Sequence, residues 1–230
     1  MRQLDKRIAE TKSPSIRNRA RRARLINLEW ASRNEEAIAC PRGLAADKSY
    51  SSDDRRFFRE RIARFLHQLK RDDEALAAYD ELFVEAKDNP HRAAFYLDEK
   101  VAVMLFRAER YAEALECCDR AIKLEKPDTV EWKSVEWWRV RTLTALERPA
   151  EVCTGCEKLL DSKNLAPDDL AWCLATLADL LAKRGLHDKA LDADSRAQQV
   201  LDRDAKTIDE ATGARVTEQL SKVSASPKHP

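Results

Sequence analysis

Two ladders of residues recur along the chain about every 38 residues, and this regularity constrains the fold more than any other feature. Small or branched residues that follow an acidic or polar residue occur at Ala37, Ala75, Ala114, Val152 and Ala190. Leucines recur at the same spacing, at Leu28, Leu66, Leu105, Leu143, Leu181 and Leu220. A fixed period of this length is typical of helical arrays, in which each helix pair buries its apolar face against its neighbours.

The composition agrees with long helices and offers little for strands. Charged residues make up 36% of the chain, hydrophobic residues make up 43%, and glycine occurs at only four positions. Long helices are typical of this balance, and the apolar fraction is enough for a continuous core. The net charge is +1, so the overall charge does not indicate a nucleic-acid or membrane partner.

The same sequence predicts a cytoplasmic protein that does not enter a membrane. None of its segments approaches the roughly 20 consecutive apolar residues of a membrane span. The first residues, MRQLDKRIAETKSPS, lack the apolar core of a secretory signal. The six cysteines show no framework of a disulfide-stapled secreted domain, which favours a reducing compartment.

Helical periodicity predicts a degenerate first unit followed by four helix pairs. In the first unit Pro41 and Gly43 should end the second helix early, and Ala45–Asp53 should be a loop with Ser52 or Asp53 as the next helix cap. The four pairs span Asp54–Asn89, Arg92–Pro127, Val130–Ser162 and Pro167–Ala205. Residues 206–223 form a last helix, with Val216, Leu220 and Val223 facing the open end of the array.

The segment Arg107–Pro127, RAERYAEALECCDRAIKLEKP, carries a family resemblance. A tight turn leads into Tyr111-Ala112-Glu113-Ala114-Leu115, and the helix stops at a proline. This segment resembles the second helix of a tetratricopeptide (TPR) repeat. The resemblance implies an all-α, right-handed solenoid of about five TPR-like helix hairpins plus a C-terminal capping helix. The expected boundaries are a basic N-terminal arm or helix at 1–24, the array at 25–205, the capping helix at 206–223 and a disordered tail at 224–230.

The amino-terminal segment is strongly basic. Residues 1–33 contain ten lysines or arginines against Asp5, Glu10 and Glu29, a balance of +7 that leaves −6 for the remainder. One interpretation is an arm that binds nucleic acid, an acidic partner or an import machine. The other is a solvated first helix that packs through Leu25, Ile26 and Leu28, and the lack of aromatic residues among these arginines favours it.

Cys153-x-x-Cys156 is the motif that most resembles a chemical site. A zinc site needs four ligands, and the nearest further cysteine, Cys173, has no companion pair. Cys118 and Cys156 each stand four residues after a ladder position, Ala114 and Val152. The cysteines are therefore predicted to be core residues rather than ligands.

The remaining titratable residues do not form a catalytic pattern. The four histidines are scattered, and the chain lacks a glycine-rich phosphate loop, GxSxG or HExxH. The carboxylates are mostly adjacent to lysine or arginine, which is typical of solvated helix faces. We therefore expect a protein that is not an enzyme and that has no cofactor and no bound metal.

The resemblance also implies a binding surface. In TPR proteins the first helices of successive units line a concave groove that holds a peptide or a helix of a partner. Carried over by repeat alignment, the groove residues are Phe57, Glu60, Arg64, Tyr96, Glu99, Phe106, Trp137, Arg141, Trp172 and Asp179, with His67 and Val103 beside them. Tyrosine, tryptophan and arginine dominate binding hot spots. For Trp137, Trp138 and Trp172, a place between packed helices is an equal alternative.

The leading hypothesis is a non-enzymatic adaptor or scaffold that binds a segment of another protein, with nucleic acid an unlikely partner. A nucleic-acid-associated or regulatory protein that uses the basic arm is the alternative, and a metal-dependent enzyme is a third. Binding to generic DNA or RNA should depend steeply on salt only in the second case.

Overall fold

The computed structural model describes residues 13–30, 44–104 and 109–224, and residues 3, 6, 8, 10, 11, 36, 38 and 39 singly. Within these residues the regular secondary structure is helical, and strands are absent. The longer helices of this described part are α1 (Pro14–Trp30), α2 (Ser52–Gln68), α3 (Asp72–Glu85), α4 (Pro90–Val103), α5 (Tyr111–Leu124), α6 (Val130–Ala145), α7 (Pro149–Asp161), α8 (Pro167–Lys183), α9 (His187–Arg203) and α10 (Glu210–Ser224).

The chain divides into two compact units, Met1–Arg110 and Tyr111–Pro230. The first unit contains α1 to α4 and the second contains α5 to α10. The two helices predicted to form the third hairpin, α4 and α5, therefore fall in different units. None of the helices in the described part of the chain is long and apolar enough to cross a membrane.

In the first unit, α2 pairs with α3 and α3 pairs with α4. The cap of α2 is Ser51, one residue before the predicted positions, and its hydroxyl accepts a hydrogen bond from the amide of Asp54 at 3.1 Å. At the start of α4 the Asn89 side chain accepts from the amide of Arg92 at 3.0 Å, with Pro90 in the first turn. Both arrangements satisfy amides that the first helical turn leaves without a partner.

Helix α1 is continuous across the boundary predicted between residues 24 and 25. Leu25 and Leu28 are fully buried against Phe58 and Phe65 of α2, whereas Ile26 is exposed. The basic amino-terminal segment also contacts α2, because the Arg22 guanidinium binds the Asp54 carboxylate at 2.5 Å. Residues 14–24 thus belong to the same helix as the buried Leu25 and Leu28, as in the interpretation of a first helix that packs on the array.

In three hairpins of the described part, the turn lies between a residue of the leucine ladder and a residue of the ladder of small or branched residues. The amide of Arg71 donates to the carbonyl of Leu66 at 2.9 Å, and the residue between them, Lys70, has a φ of 61°. The same pattern recurs at Arg148 to Leu143 across Glu147, and at Leu186 to Leu181 across Gly185. This is the Schellman end of a helix, in which the ladder leucine supplies the accepting carbonyl. Glu109 also has a positive φ of 50°, although Leu105 lies outside the described residues.

The second ladder begins the helix that follows each turn. Amides of the ladder residues Ala75, Val152 and Ala190 donate to the carbonyls of Arg71, Arg148 and Leu186, respectively. All three ladder residues are buried. The predicted period is thus the spacing of identical turns, each with a buried small or branched residue after it.

In the second unit, α5 to α9 pack in sequence order, each against the next. Its core includes Leu143, Val152, Cys156, Leu159 and Cys173. The five cysteines of the described part are buried, as the core interpretation predicted for Cys118, Cys153 and Cys156. The hydrogen bond between Cys156 and Cys173, together with burial, raises the pKa of the Cys173 thiol. Burial also raises the pKa of Cys153. The thiols of Cys153 and Cys173 therefore stay protonated, and a protonated thiol is a poor metal ligand or nucleophile.

Helix α10 packs on α8 and α9. Val216 and Leu220 join Leu174 and Val200 in one apolar cluster, and Val223 joins Ala178 and Ala190 in another. This is the packing expected of a capping helix. In the neighbouring hairpin, Leu191 of α9 is 41% exposed although it is apolar. It follows the buried Ala190 directly, and a step of about 100° along the helix takes it to the outer face.

Candidate protein-binding surface

The predicted groove residues of the first unit pair with one another. The Arg64 guanidinium donates to Glu99 at 2.6 Å, and the Tyr79 hydroxyl donates to the other oxygen of Glu99 at 3.0 Å. The Tyr96 hydroxyl donates to Glu60 at 2.6 Å. These contacts tie α2 to α4 and α3 to α4. The charged groups thus already have partners within the first unit, and these contacts stabilise its fold.

Phe57 lies between two guanidinium groups. Arg22 stands 4.5 Å from the ring centre and Arg61 stands 5.3 Å from it. Arginine over an aromatic face is a favourable electrostatic contact, worth about 0.5–1 kcal/mol at exposed sites. The ring is only half-buried, but its faces already have partners within the unit.

Tyr96 is a correction to the predicted groove. Its exposed fraction is 0%, so the side chain is buried within the first unit, where it forms part of the wall of a cavity of about 470 Å³ with Arg59 and Arg92. The repeat alignment placed it on the inner face of its helix, but its hydroxyl already donates to Glu60 of α2. Val103 is buried as well, and Phe106 lies outside the described residues. His67 is half-buried, with Nδ1 2.9 Å from a carboxylate oxygen of Asp72.

The predicted groove residues of the second unit form a stack across α6 and α8. The Arg141 guanidinium stands 4.5 Å from the centre of the Trp137 ring and 5.7 Å from that of Trp138. The rings of Trp137 and Trp172 are 6.0 Å apart, and those of Trp137 and Trp138 are 4.7 Å apart in an edge-to-face arrangement. All four side chains are half-buried. Flat side chains of α6 and α8 are therefore concentrated at one place, where the Trp137 and Trp172 rings come together.

The surroundings of Arg141 in this stack shift the pKa of its guanidinium. Burial and the nearby Arg215 of α10 lower the pKa of Arg141, which remains charged at neutral pH. The indole nitrogen of Trp137 is buried and has no hydrogen-bond partner within the described structure. A buried unpaired donor is costly, so the stack is held in place by its packing rather than by polar contacts.

A cavity of about 450 Å³ opens beside Trp172. Its α8 wall is formed by Trp172, Thr176, Asp179, Leu180 and Lys183, and its opposite wall by Thr144, Glu147, Arg148, Pro149 and Val152. Asp179 accepts a hydrogen bond from Lys183 at 2.7 Å. Gln219 of α10 also reaches this cavity. An apolar floor with polar groups on its edge suits one or two side chains of a peptide.

Several residues of this surface were not predicted. Thr176, Leu180 and Lys183 follow Trp172 at helical spacing, because residues three and four apart share one face of a helix. Extending the stripe from Trp172 along α8 would have found Thr176, Leu180 and Lys183. The matched ion pairs of the first unit had no such signal, since pairing depends on how close the helices lie.

Solved structures show the fold of this chain. The nearly identical TPR-like repeats of a Podosopora anserina kinesin light chain are similar over 86% of this chain and 99% of theirs, with a TM-score of 0.64 and 14% identity. MamA from Desulfovibrio magneticus RS-1 is similar over 83% of this chain and 96% of its own, with a TM-score of 0.59 and 15% identity. TTC0263, a TPR protein of Thermus thermophilus, is similar over 89% of this chain and 99% of its own, with a TM-score of 0.51 and 15% identity.

The predicted fold class, an all-α solenoid of TPR-like hairpins, is confirmed by these similarities. No protein-family model and no curated protein matches the sequence. At identities of 14–15% the solved structures define the fold alone.

Proposed function

We propose that this chain is a non-enzymatic interaction module that binds a peptide segment of another protein on the surface formed by α6 and α8. One observation carries this proposal: Trp137, Arg141 and Trp172 are stacked on successive first helices beside an open cavity of about 450 Å³. The TPR-like fold supports the same function, since stacked hairpins present extended surfaces for binding. The setting is the cytoplasm, where the buried thiols would stay reduced.

The side chains at this surface suit a binding hot spot. Tryptophan gives a large rigid contact area at low entropic cost, and arginine adds directed hydrogen bonds. In Arg141 the guanidinium is already held against two rings, so less rotamer freedom is lost when a partner binds. The pairing of the first unit's charges gives the second unit the greater part in binding.

A library of random peptides displayed on phage and selected on the full chain tests the proposal. Peptides selected on the wild type should bind the Arg141→Ala variant at least tenfold more weakly, a loss of about 1.4 kcal/mol or more. Arg196→Ala is a charge-matched control, because Arg196 is an exposed residue of α9. Equal binding of the selected peptides to the wild type and both variants would exclude this surface.

The same variants separate binding from folding. Arg141 is a partly exposed side chain, so its removal should move the melting temperature by only a few degrees, as for other losses of about 1 kcal/mol. Leu143→Ala, at a fully buried ladder position, should instead cost about 2–5 kcal/mol of unfolding free energy. A protein in which Arg141→Ala is as unstable as Leu143→Ala would assign Arg141 to the core.

A further inference from the structure

A second cavity, of about 310 Å³, lies in the second unit at the start of α6 and α8. Its walls are mainly apolar and include Trp137, Trp138, Leu165 and Ala166. Val130, at the rim, is 74% exposed, although it is a branched apolar side chain. The cavity is distinct from the one beside Trp172, and Trp137 belongs to its lining and to the aromatic stack.

One carboxylate stands in this apolar lining. Asp169 of α8 is half-buried, and among the described residues it makes no hydrogen bond or ion pair. Its neighbour Asp168 differs, because it accepts a hydrogen bond from the amide of Asp209 at 3.0 Å. Burial and the charge of Asp168 raise the pKa of Asp169, and no cation acts in the opposite direction.

Lys133 also lines the cavity, but it is directed to other partners. Its ammonium group donates to the carbonyl of Lys163 at 2.7 Å and lies 3.4 Å from that of Asn164. The ammonium group of Lys133 is therefore bound by these two carbonyls and does not neutralise Asp169. A half-buried carboxylate without a cation is unfavourable, and a bound cation would remove that cost.

We propose that the cavity lined by Trp138 and Asp169 accepts a basic side chain, lysine or arginine, from the bound peptide. The aliphatic stem would lie against the indole rings and Leu165, while the cation would meet the Asp169 carboxylate. Long basic side chains bury their stems in this way and leave the charge at a polar group. Tryptophan faces add attraction for the cation. The inference rests on the proposed function and names the chemistry of the partner.

Blocked tripeptides with lysine, arginine, norleucine or glutamate between two alanines test this inference directly. The full chain is titrated with each peptide while the indole signal of Trp138 is followed by NMR. The lysine and arginine peptides should bind at least tenfold more tightly than norleucine, which has the stem without the charge. Glutamate should bind most weakly. Equal affinity for lysine and norleucine would overturn the proposal.

Asp169→Asn should remove the preference for lysine over norleucine. Asp188→Asn is the matched control, because Asp188 is an exposed acidic residue in the first turn of α9, as Asp169 is in the first turn of α8. Both variants lose the same interaction with a helix amino terminus. The control should keep the full preference. Loss of the preference in both variants, or in neither, would contradict a role for Asp169 at this cavity.

The outcomes separate this inference from the proposed function. Selected peptides that bind through Arg141 without enrichment of basic residues would reject the basic-residue pocket and leave the interaction surface standing. A lysine preference that depends on Asp169, with selected peptides indifferent to Arg141, would support the pocket and reject the larger surface.

Discussion

Gly155 of α7 lies directly against Val140 of α6, so closely that a Cβ atom at position 155 would overlap the Cγ2 atom of Val140. Helix interiors disfavour glycine by about 1 kcal/mol relative to alanine. The residue is tolerated at this place because only a bare backbone allows the two helices to approach to this distance. The contact therefore sets the spacing of the hairpin that carries Trp137 and Arg141.

Gly155→Ala should destabilise the second unit by about 1–3 kcal/mol, because the added methyl group cannot be accommodated without moving a helix. The double variant with Val140→Ala should lose less stability than the sum of the two single losses, since the truncated side chain frees the space. Chemical denaturation of the three variants measures the compensation. Strictly additive losses in the double variant would show that the two residues do not share this contact.

Glu136, one turn before Val140, is buried with an exposed fraction of 1%. Burial raises the pKa of its carboxyl, while Arg139 and Lys158 oppose the shift and Asp119 adds to it. The Arg139 guanidinium lies 3.8 Å from the carboxylate and also faces Asp119 and Glu151. The folded protein thus holds the proton more tightly than the unfolded chain.

Stability should fall as the pH rises from the ordinary carboxyl range through the raised pKa of Glu136. Glu136→Gln should therefore be more stable than the wild type at neutral pH, and the difference should shrink as the solution is acidified. Melting temperatures of both proteins between about pH 4 and 8 give the comparison. A melting temperature of the wild type that rises relative to that of Glu136→Gln as the pH increases would contradict the raised pKa of Glu136.

The turns of the hairpins predict a pair of opposite effects. Lys70 is exposed and has a φ of 61°, a conformation that costs a side chain about 1 kcal/mol and costs glycine little. Lys70→Gly should stabilise the first unit by about 0.5–1 kcal/mol, whereas Gly185→Ala should destabilise the second by about 1 kcal/mol. Urea unfolding curves measure both. Changes of the same sign would contradict the shared turn geometry.

Arg22 provides a test of whether the contacts of α1 with α2 stabilise the first unit. Its guanidinium binds Asp54 and stands over the Phe57 ring, so Arg22→Ala should cost about 1 kcal/mol of unfolding free energy. Arg19→Ala is the matched control, since Arg19 is exposed on the same helix and should have little effect. If both variants melted with the wild type, the contacts of Arg22 would not contribute to holding this helix on the first unit.

The sequence was informative wherever a feature repeats. The leucine ladder marks the turns because three hairpins of the described part end their first helix with the same hydrogen bond, at Leu66, Leu143 and Leu181. Burial of Ala75, Val152 and Ala190 follows from the same repeat. Features that repeat with the period could therefore be located without a structure.

The candidate surface was only partly predictable, because side-chain contacts between helices do not repeat. Tyr96 and Trp137 both occupy first helices, yet Tyr96 is enclosed by its neighbours and donates to Glu60, whereas Trp137 stays half-buried beside Arg141. The difference depends on which side chains the adjacent helix presents. Alignment of repeats gives the helix face but not its neighbours.

The indole NMR signals of the tryptophans test the central claim most directly, because Trp137 and Trp172 lie on the proposed surface and Trp132 is buried in the core. A peptide selected on the full chain is titrated into ¹⁵N-labelled protein. The account predicts that the Trp137 and Trp172 signals shift with the peptide while the Trp132 signal stays in place. A saturated peptide complex in which the Trp137 and Trp172 signals do not move would contradict it.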